Sequence, residues 1–472
     1  MNMTLGARIA HNTLYLALGK IASTAIGVFT IALLLRYLSP DDYGRYTAVL
    51  AFVLLFGTIA DFGLNLSTTQ DISERQNDIE RTISSVFTGR VIVNIILVAL
   101  LPFVLMAFPY EAAVKRAIML ASLLFFTTSL FQVLASYFQK TLQAGKIAIA
   151  ELAGRVILLV ATLIAIQFSF SFFELMLTVI ASGFTQLWVL LRFTARDLSI
   201  RFVVDVHTWK RIALKTWPIA LSVIFTTIYF KGDAVILSLV RPYEDVGIYG
   251  AAYKILEVLI TLPILIMGLI LPHLTAHFAA RDTKAFLSIL QKTWDALSMV
   301  TLPMVAGVIV LAKPIINLVA GAHYYASAVV LQILIVATGI IFLGSIFTHA
   351  IVAINKQKSM VSYYAAAAVG SVALYAAFIP TYTYYAAAAV TVAAELFIAS
   401  VAMRKVLKVA AGQISLRYFG LSLIASIGMA VGIAYAPFSN ICALIAVGAL
   451  FYVAILYALG VRFQNVYNND II

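Results

Sequence analysis

The feature that most constrains this sequence is a series of apolar stretches about 20 residues long, separated by short charged connectors. As an α-helix, a stretch of that length crosses a hydrocarbon core about 30 Å thick. The chain is 63% hydrophobic and only 11% charged, whereas about a quarter of the residues in a soluble domain are charged. The apolar runs are continuous, which favours helices over the alternating strands of an outer-membrane barrel. The sequence therefore predicts an all-α polytopic membrane protein.

About fourteen membrane-spanning helices are predicted. They lie at residues 12–38, 43–66, 83–108, 116–137, 147–168, 172–192, 212–239, 246–271, 286–311, 325–350, 358–380, 384–405, 414–435 and 439–461. A polar connector, 193–211, separates the first six helices from the others. We therefore predict an N-terminal lobe at 1–192, the connector at 193–211 and a C-terminal lobe at 212–405. Two additional helices and a short cytoplasmic tail follow at 406–472.

The distribution of Lys and Arg predicts the orientation of the chain in the membrane. Of 32 such residues, twenty-one fall in the connectors on one side and six in those on the other. The basic side is cytoplasmic by the positive-inside rule. Both termini are then cytoplasmic, and the protein belongs in the inner or plasma membrane. This distribution also accounts for the net charge of +12 without a nucleic-acid partner.

A short internal repeat is visible at a spacing of 203 residues. The segment 41–46, which reads DDYGRY, aligns with 244–249, which reads EDVGIY. In each copy an acidic pair precedes a glycine and a tyrosine, in the predicted connector after the first helix of a lobe. Both copies fall on the non-cytoplasmic side, so the repeat predicts two parallel six-helix lobes, a layout found in transporters.

The sequence carries no nucleotide-binding or catalytic signature. Its Gly-Lys pairs, Gly19-Lys20 and Gly145-Lys146, lack the upstream glycine and the following Ser or Thr of a phosphate-binding loop. We expect no enzymatic activity, cofactor or metal. Energy for transport would then come from an ion gradient, the membrane potential or consumption of the product.

Charged residues inside the predicted helices are the candidate functional groups. The basic ones are Lys20, Arg90, Arg155, Lys231 and Lys254; the acidic ones are Asp61, Glu151, Asp233, Glu257 and Glu395. A charge at the bilayer centre costs about 2.5–3.5 kcal/mol on insertion scales. Most of the ten should therefore face a cavity or pair with one another, although long side chains can also reach the interface.

The spacing of these charges suggests some pairs. Glu151 and Arg155 are four residues apart, and Lys254 and Glu257 are three apart, so each pair can meet on one helix face. Lys20 and Lys231 have no such neighbour and are the strongest candidates for contacting an anionic cargo. Lys231 could instead be held by Asp61 or Asp233.

Several motifs resemble those of the polysaccharide-biosynthesis transporters, the Wzx-type oligosaccharide flippases of the multidrug/oligosaccharidyl-lipid/polysaccharide exporter superfamily. They are Leu38-Ser39-Pro40, Tyr43-Gly44-Arg45-Tyr46, Asp61-Phe62-Gly63-Leu64, Trp217-Pro218, Asp233-Ala234-Val235-Ile236-Leu237 and the run from Val246 to Lys254. Helix count, lobe size and motif order extend the resemblance over nearly the whole chain. The motifs do not specify a substrate, and no binding residue is carried over from the family.

The resemblance implies two six-helix lobes around a cavity that opens alternately to each side. It implies a polyprenyl-(pyro)phosphate-linked oligosaccharide as cargo for O-antigen or exopolysaccharide synthesis. It implies membrane lipids, a polysaccharide polymerase and the chain-length machinery as partners. A drug/cation antiporter of the same superfamily and a lipid II flippase remain open as alternatives. A membrane-embedded glycosyltransferase would need large outward loops, and the outward connectors here are short.

Overall fold

The computed structural model describes residues 5–61, 79–437 and 440–461. These residues form α-helices joined by short turns, with no β-strand among them. The helices are α1 (Leu5–Tyr37), α2 (Pro40–Asp61), α3 (Ile79–Met106), α4 (Ala112–Ala121), α5 (Leu123–Lys140), α6 (Ala144–Gln167), α7 (Phe172–Asp197), α8 (Val206–Val240), α9 (Tyr243–Leu259), α10 (Thr261–Ala279), α11 (Thr283–Val319), α12 (Ser327–Ala353), α13 (Val361–Ala410), α14 (Arg417–Ala434) and α15 (Ile441–Ala458). Twelve segments of this part of the chain are long and apolar enough to cross a membrane.

The predicted fold class is confirmed, and the differences lie in where helices begin, end and break. The predicted helices 358–380 and 384–405 are the two arms of α13, which meet at a non-helical residue, Thr383, with φ 54° and ψ −141°. The arms lie side by side, because the hydroxyl of Tyr375 is 3.4 Å from that of Thr391. The break follows Pro380, which lacks the backbone N–H needed inside a helix. Predicted helix 116–137 is divided between α4 and α5, and predicted helix 246–271 between α9 and α10.

Helix α2 begins earlier than predicted because its first residues form a strong start signal. The side chain of Ser39 accepts a hydrogen bond from the backbone N–H of Asp42 at 3.1 Å. Pro40 occupies the first helical position, where its missing N–H is harmless. Asp41 and Asp42 add negative charge at the positive end of the helix dipole. The repeat segments therefore lie in the first turns of α2 and α9, and placing them in connectors was wrong.

The first of two compact units spans Met1–Gly247. In it, α6 packs between α1 and α7, α5 packs on α3 and α7, and α2 packs on α8. Small residues permit the close approaches, as at Gly19, where an added Cβ would lie 2.6 Å from the Cβ of Ala148. Apolar side chains of α3, α5, α6 and α7 fill the interior between these helices.

The connector 198–205 is bound to α3 rather than free. The backbone N–H groups of Arg201 and Val203 donate to the hydroxyls of Ser84 and Thr88, at 3.2 and 3.0 Å. The indole of Trp209, at the start of α8, donates to the carbonyl of Ser85 at 2.9 Å. These bonds fix the entry into α8, which contacts α2 and α3 within the first unit.

The second unit spans Ile248–Ile472 and is built on α11, α12 and α13. The C-terminal helices α14 and α15 pack on α11. The Gln291 side chain donates to the carbonyl of Ser415 at 3.0 Å and accepts from its backbone N–H at 2.7 Å. The hydroxyl of Tyr452 donates to the carbonyl of Met299 at 2.8 Å. Helices α14 and α15 are thus integrated into the second unit.

Candidate functional site

The clearest cluster of intramembrane charges lies on α1 and α6 of the first unit. Lys20 Nζ is 3.6 Å from Glu151 Oε2, and the two side chains are 47% and 29% exposed. Arg155, one turn further along α6, lies over Gly27 of α1, where an added Cβ would be 3.8 Å from its nearest guanidinium nitrogen. Gly27 therefore leaves room for Arg155 beside α1. We call Lys20, Glu151 and Arg155 the α1–α6 charge cluster.

The α1–α6 charge cluster differs from the pairing that helix spacing suggested. Glu151 contacts Lys20 on the neighbouring helix, and no ion pair between Glu151 and Arg155 is found in the described part of the chain. Lys20 therefore has a partner, although not on its own helix. Because Glu151 is a single anion beside two exposed cations, the cluster carries a net positive charge that a phosphate could contact.

Arg90, on α3, is in a different environment from the two exposed cations. Its side chain is only 3% exposed, and the same helix carries the buried Asn94, whose amide donates to the hydroxyl of Ser129 at 2.7 Å. Such buried polar groups stabilise packing between α3 and α5. In this structure Arg90 is an interior residue of the first unit.

The two charged residues of α8, Lys231 and Asp233, differ in burial. Asp233 is fully buried, and its Oδ1 accepts a hydrogen bond from the backbone N–H of Ala234. Lys231 is half-buried, with Nζ 5.5 Å from the centre of the Phe230 ring. This agrees with the two residues pointing to different faces of the helix. The side chain of Asp61, the other suggested partner of Lys231, lies outside the described residues.

In the second unit, Lys254 and Glu257 pair within one turn of α9. Lys254 Nζ is 2.6 Å from Glu257 Oε2, and both side chains are partly exposed. The close carboxylate offsets the charge of Lys254, so this cation is less available to a phosphate than Lys20 or Arg155.

Two carboxylates are buried inside the second unit. Glu395 of α13 is 8% exposed, and no cation lies within 4.0 Å of it among the described residues. Asp295 of α11, which the sequence analysis overlooked, is 5% exposed and accepts a hydrogen bond from the Gln291 amide at 2.8 Å. In the sequence, Asp295 is the single acidic residue inside the predicted helix 286–311, and this position could have identified it. A buried carboxylate without a cation is a candidate carrier of a coupling proton.

The two copies of the sequence repeat meet through their glycines. A Cβ added at Gly44 would lie 1.7 Å from the carbonyl oxygen of Tyr243, and one added at Gly247 would lie 1.9 Å from that of Pro40. Pro40 and Tyr243 are themselves equivalent in the repeat, so the contact is symmetrical. We call it the glycine contact; it leaves no space for any side chain at either glycine.

Arg45, next to Gly44, makes several electrostatic interactions beside the glycine contact. Its guanidinium pairs with Asp41, with Asp42 at 3.1 Å and with Glu111 at 3.5 Å. The same group lies 5.4 Å from the centre of the Tyr243 ring, a cation–π contact with the other copy of the repeat. Arg45 therefore connects the start of α2 to α4 and α9.

The fold is shared with known membrane transporters. A solved structure of the lipid II flippase MurJ in an inward closed conformation matches with a TM-score of 0.80 and 14% identity, covering 97% of this chain and 99% of that one. An inward-facing multidrug resistance transporter of the MATE family matches with a TM-score of 0.69 and 14% identity, covering 82% and 94%. A superfamily transporter from Pyrococcus furiosus, described as having a binding pocket of reverse polarity, matches with a TM-score of 0.61 and 14% identity, covering 87% and 99%.

Sequence comparison agrees with the fold. No curated protein matches the chain. Residues 9–277, more than half of the chain, match the family described as polysaccharide biosynthesis protein. This agrees with the resemblance carried by the motifs at the starts of α2 and α9. The chain is a polytopic membrane protein with the fold of the MurJ and MATE transporters, and it belongs to the polysaccharide biosynthesis protein family.

Proposed function

We propose that this protein is a flippase that moves a polyprenyl-(pyro)phosphate-linked oligosaccharide across the inner or plasma membrane by alternating access. The family match over residues 9–277 carries the proposal. Members of a polysaccharide biosynthesis family need a way to bring a glycan assembled on a lipid to the outer face of the membrane. The fold shared with a lipid II flippase fits that task. A polysaccharide polymerase and the chain-length machinery are the partners we propose for the product.

The α1–α6 charge cluster is the proposed contact for the phosphate groups of the cargo. Lys20 and Arg155 are exposed although they lie within membrane-spanning helices. Exposure of cations to acyl chains is costly, so water or an anionic ligand is the favourable neighbour. Lys231 of the first unit and Lys254 of the second are proposed as further cations that contact the cargo, and Arg90 as a residue that supports the first unit from its interior.

The two alternative cargoes can be separated by a binding experiment. The purified full-length protein is mixed with a polyprenyl-pyrophosphate oligosaccharide, with lipid II or with a cationic dye, and its thermal unfolding is followed. We expect the first ligand to raise the melting temperature most, because a ligand stabilises the state that binds it. Uncharged polyprenol serves as the control for the tail alone. Stabilisation by the cationic dye, with none by the lipid-linked glycans, would contradict the proposal in favour of an antiporter.

Labelling from outside the cell tests the proposed orientation. In a Cys442→Ala background, which removes the chain's single cysteine, Glu244→Cys and Lys284→Cys place one exposed thiol at each predicted side. We expect a membrane-impermeant maleimide to label Glu244→Cys in intact cells and Lys284→Cys only after lysis. The reverse pattern would overturn the prediction that both termini are cytoplasmic.

A further inference from the structure

A recess in the second unit is formed where several helices end together. Helices α10, α12 and α13 end at Ala279, Ala353 and Ala410, and α11 begins beside them at Thr283. After these three ends, Arg281, Asn355 and Ala411 have φ values of 58°, 54° and 47°. These left-handed residues turn the chain sharply away from each helix. The result is a recess of about 520 Å³ at the predicted cytoplasmic end.

The recess has an apolar floor and a polar rim. Phe278 and Phe286 lie in the floor with their ring centres 5.6 Å apart. Phe286 is buried in the core of the second unit, so the floor is part of the rigid interior. Arg281 and Asn355 contribute to the rim. A recess with an apolar floor and a polar rim fits a ligand that has both an apolar part and a polar headgroup.

Positive charge lies on every segment that forms the recess. Arg281 lines it directly, while Lys284, Lys356 and Lys408 each adjoin a lining residue and are exposed. The described structure places no carboxylate within 4.0 Å of these four groups. The single acid of these segments, Asp282, caps α11 through the backbone N–H of Ala285 at 3.0 Å and lies 3.5 Å from His277 Nδ1. The rim is therefore complementary to an anion.

We infer that this recess binds an anionic phospholipid of the cytoplasmic leaflet, with the phosphate at the basic rim and an acyl chain on the Phe278–Phe286 floor. Basic pockets between helix ends on this side of a membrane suit anionic headgroups. A free phosphate would leave the apolar floor uncovered. The inference goes beyond the proposed function and does not rest on it, because the ligand is a bilayer lipid and not the cargo.

Native mass spectrometry of the full-length protein, released from nanodiscs without cargo, tests this site. In nanodiscs that mix phosphatidylglycerol and phosphatidylcholine equally, we expect one retained phosphatidylglycerol per protein. The double variant Arg281→Asn, Lys356→Gln should weaken binding of this lipid about thirtyfold, since each of the two lost charges contributes about 1 kcal/mol near anionic lipid. Asparagine tolerates the positive φ at position 281. The control Arg196→Asn removes an exposed cation in the first unit and should change nothing.

A second variant tests the apolar part of the recess independently of charge. Ala279 is exposed at the recess, and Ala279→Trp should fill it while leaving all four cations in place. We expect this variant to lose the retained lipid as well, with an unchanged melting temperature in detergent. Equal retention of the two phospholipids by the wild type, or undiminished phosphatidylglycerol in both variants, would overturn the inference. Displacement of the lipid by millimolar inorganic phosphate would show a phosphate site instead and overturn the lipid assignment.

Discussion

Replacing either Gly44 or Gly247 with alanine is expected to reduce flipping by about tenfold or more. The added Cβ would overlap the carbonyl oxygen of Tyr243 or of Pro40, at 1.7 and 1.9 Å. Backbone atoms cannot move aside as a flexible side chain can, so the starts of α2 and α9 must separate. Overpacking of this kind typically costs about 1–3 kcal/mol. This energy corresponds to a decrease of about 5–150-fold in the population of the conformation that contains the glycine contact.

The expected effect of Gly44→Ala is opposite to the effect that helix propensity alone predicts. Alanine favours a helix over glycine by about 1 kcal/mol, so Gly44→Ala would stabilise α2 if the glycine contact did not exist. Gly370→Ala is the matched control, since Gly370 is exposed in α13 with no atom within 4 Å of an added Cβ. Because both glycines form one contact, the double variant should be little worse than either single variant. Wild-type flipping by Gly44→Ala and Gly247→Ala would show that transport does not need this contact.

Lys20→Ala is expected to abolish most flipping while leaving folding intact. A half-exposed ion pair such as Lys20–Glu151 contributes about 0–1 kcal/mol to stability. A large loss of transport would therefore report contact with cargo rather than unfolding. Lys20→Arg keeps the charge and should retain much of the activity, although a guanidinium does not reproduce an ammonium in every site.

A double variant separates the two roles that Lys20 can have. If Lys20 only neutralises Glu151, then Lys20→Ala, Glu151→Gln removes the unpaired acid and should restore flipping. If Lys20 contacts the phosphate, the double variant should stay inactive, and this is the result we expect. Rates are compared in proteoliposomes at equal protein insertion, measured by quantitative immunoblotting.

The sequence was sufficient for the fold class and the position of almost every helix, because apolar length is a strong signal in a membrane protein. It was less informative about helix ends. The start signal of Ser39 and Pro40 was present in the sequence, yet the acidic residues that follow were assigned to a connector. The break at Thr383 was predicted correctly, since the two apolar runs around Pro380 read as two helices.

The candidate site depends on contacts between helices that spacing along one helix does not reveal. The pairing of Lys20 with Glu151 joins residues 131 positions apart, so neither i, i+3 nor i, i+4 rules apply. The burial of a charged side chain could not be predicted from the sequence either. Arg90 and Arg155 both lie inside apolar runs, yet the first is buried and the second is exposed. The repeat around Gly44 and Gly247 was visible, but its meaning as a close backbone contact required three-dimensional structure.

The central claim is tested most directly by flipping in proteoliposomes that contain only this protein and a fluorescent polyprenyl-pyrophosphate oligosaccharide. A membrane-impermeant quencher measures the fraction of glycan on the outer face. We predict protein-dependent flipping without ATP, because the sequence has no phosphate-binding loop. We also predict that the rate changes when an ion gradient or membrane potential is imposed. Flipping that occurs only with ATP, or a rate no greater than in protein-free liposomes under every gradient, would contradict the account.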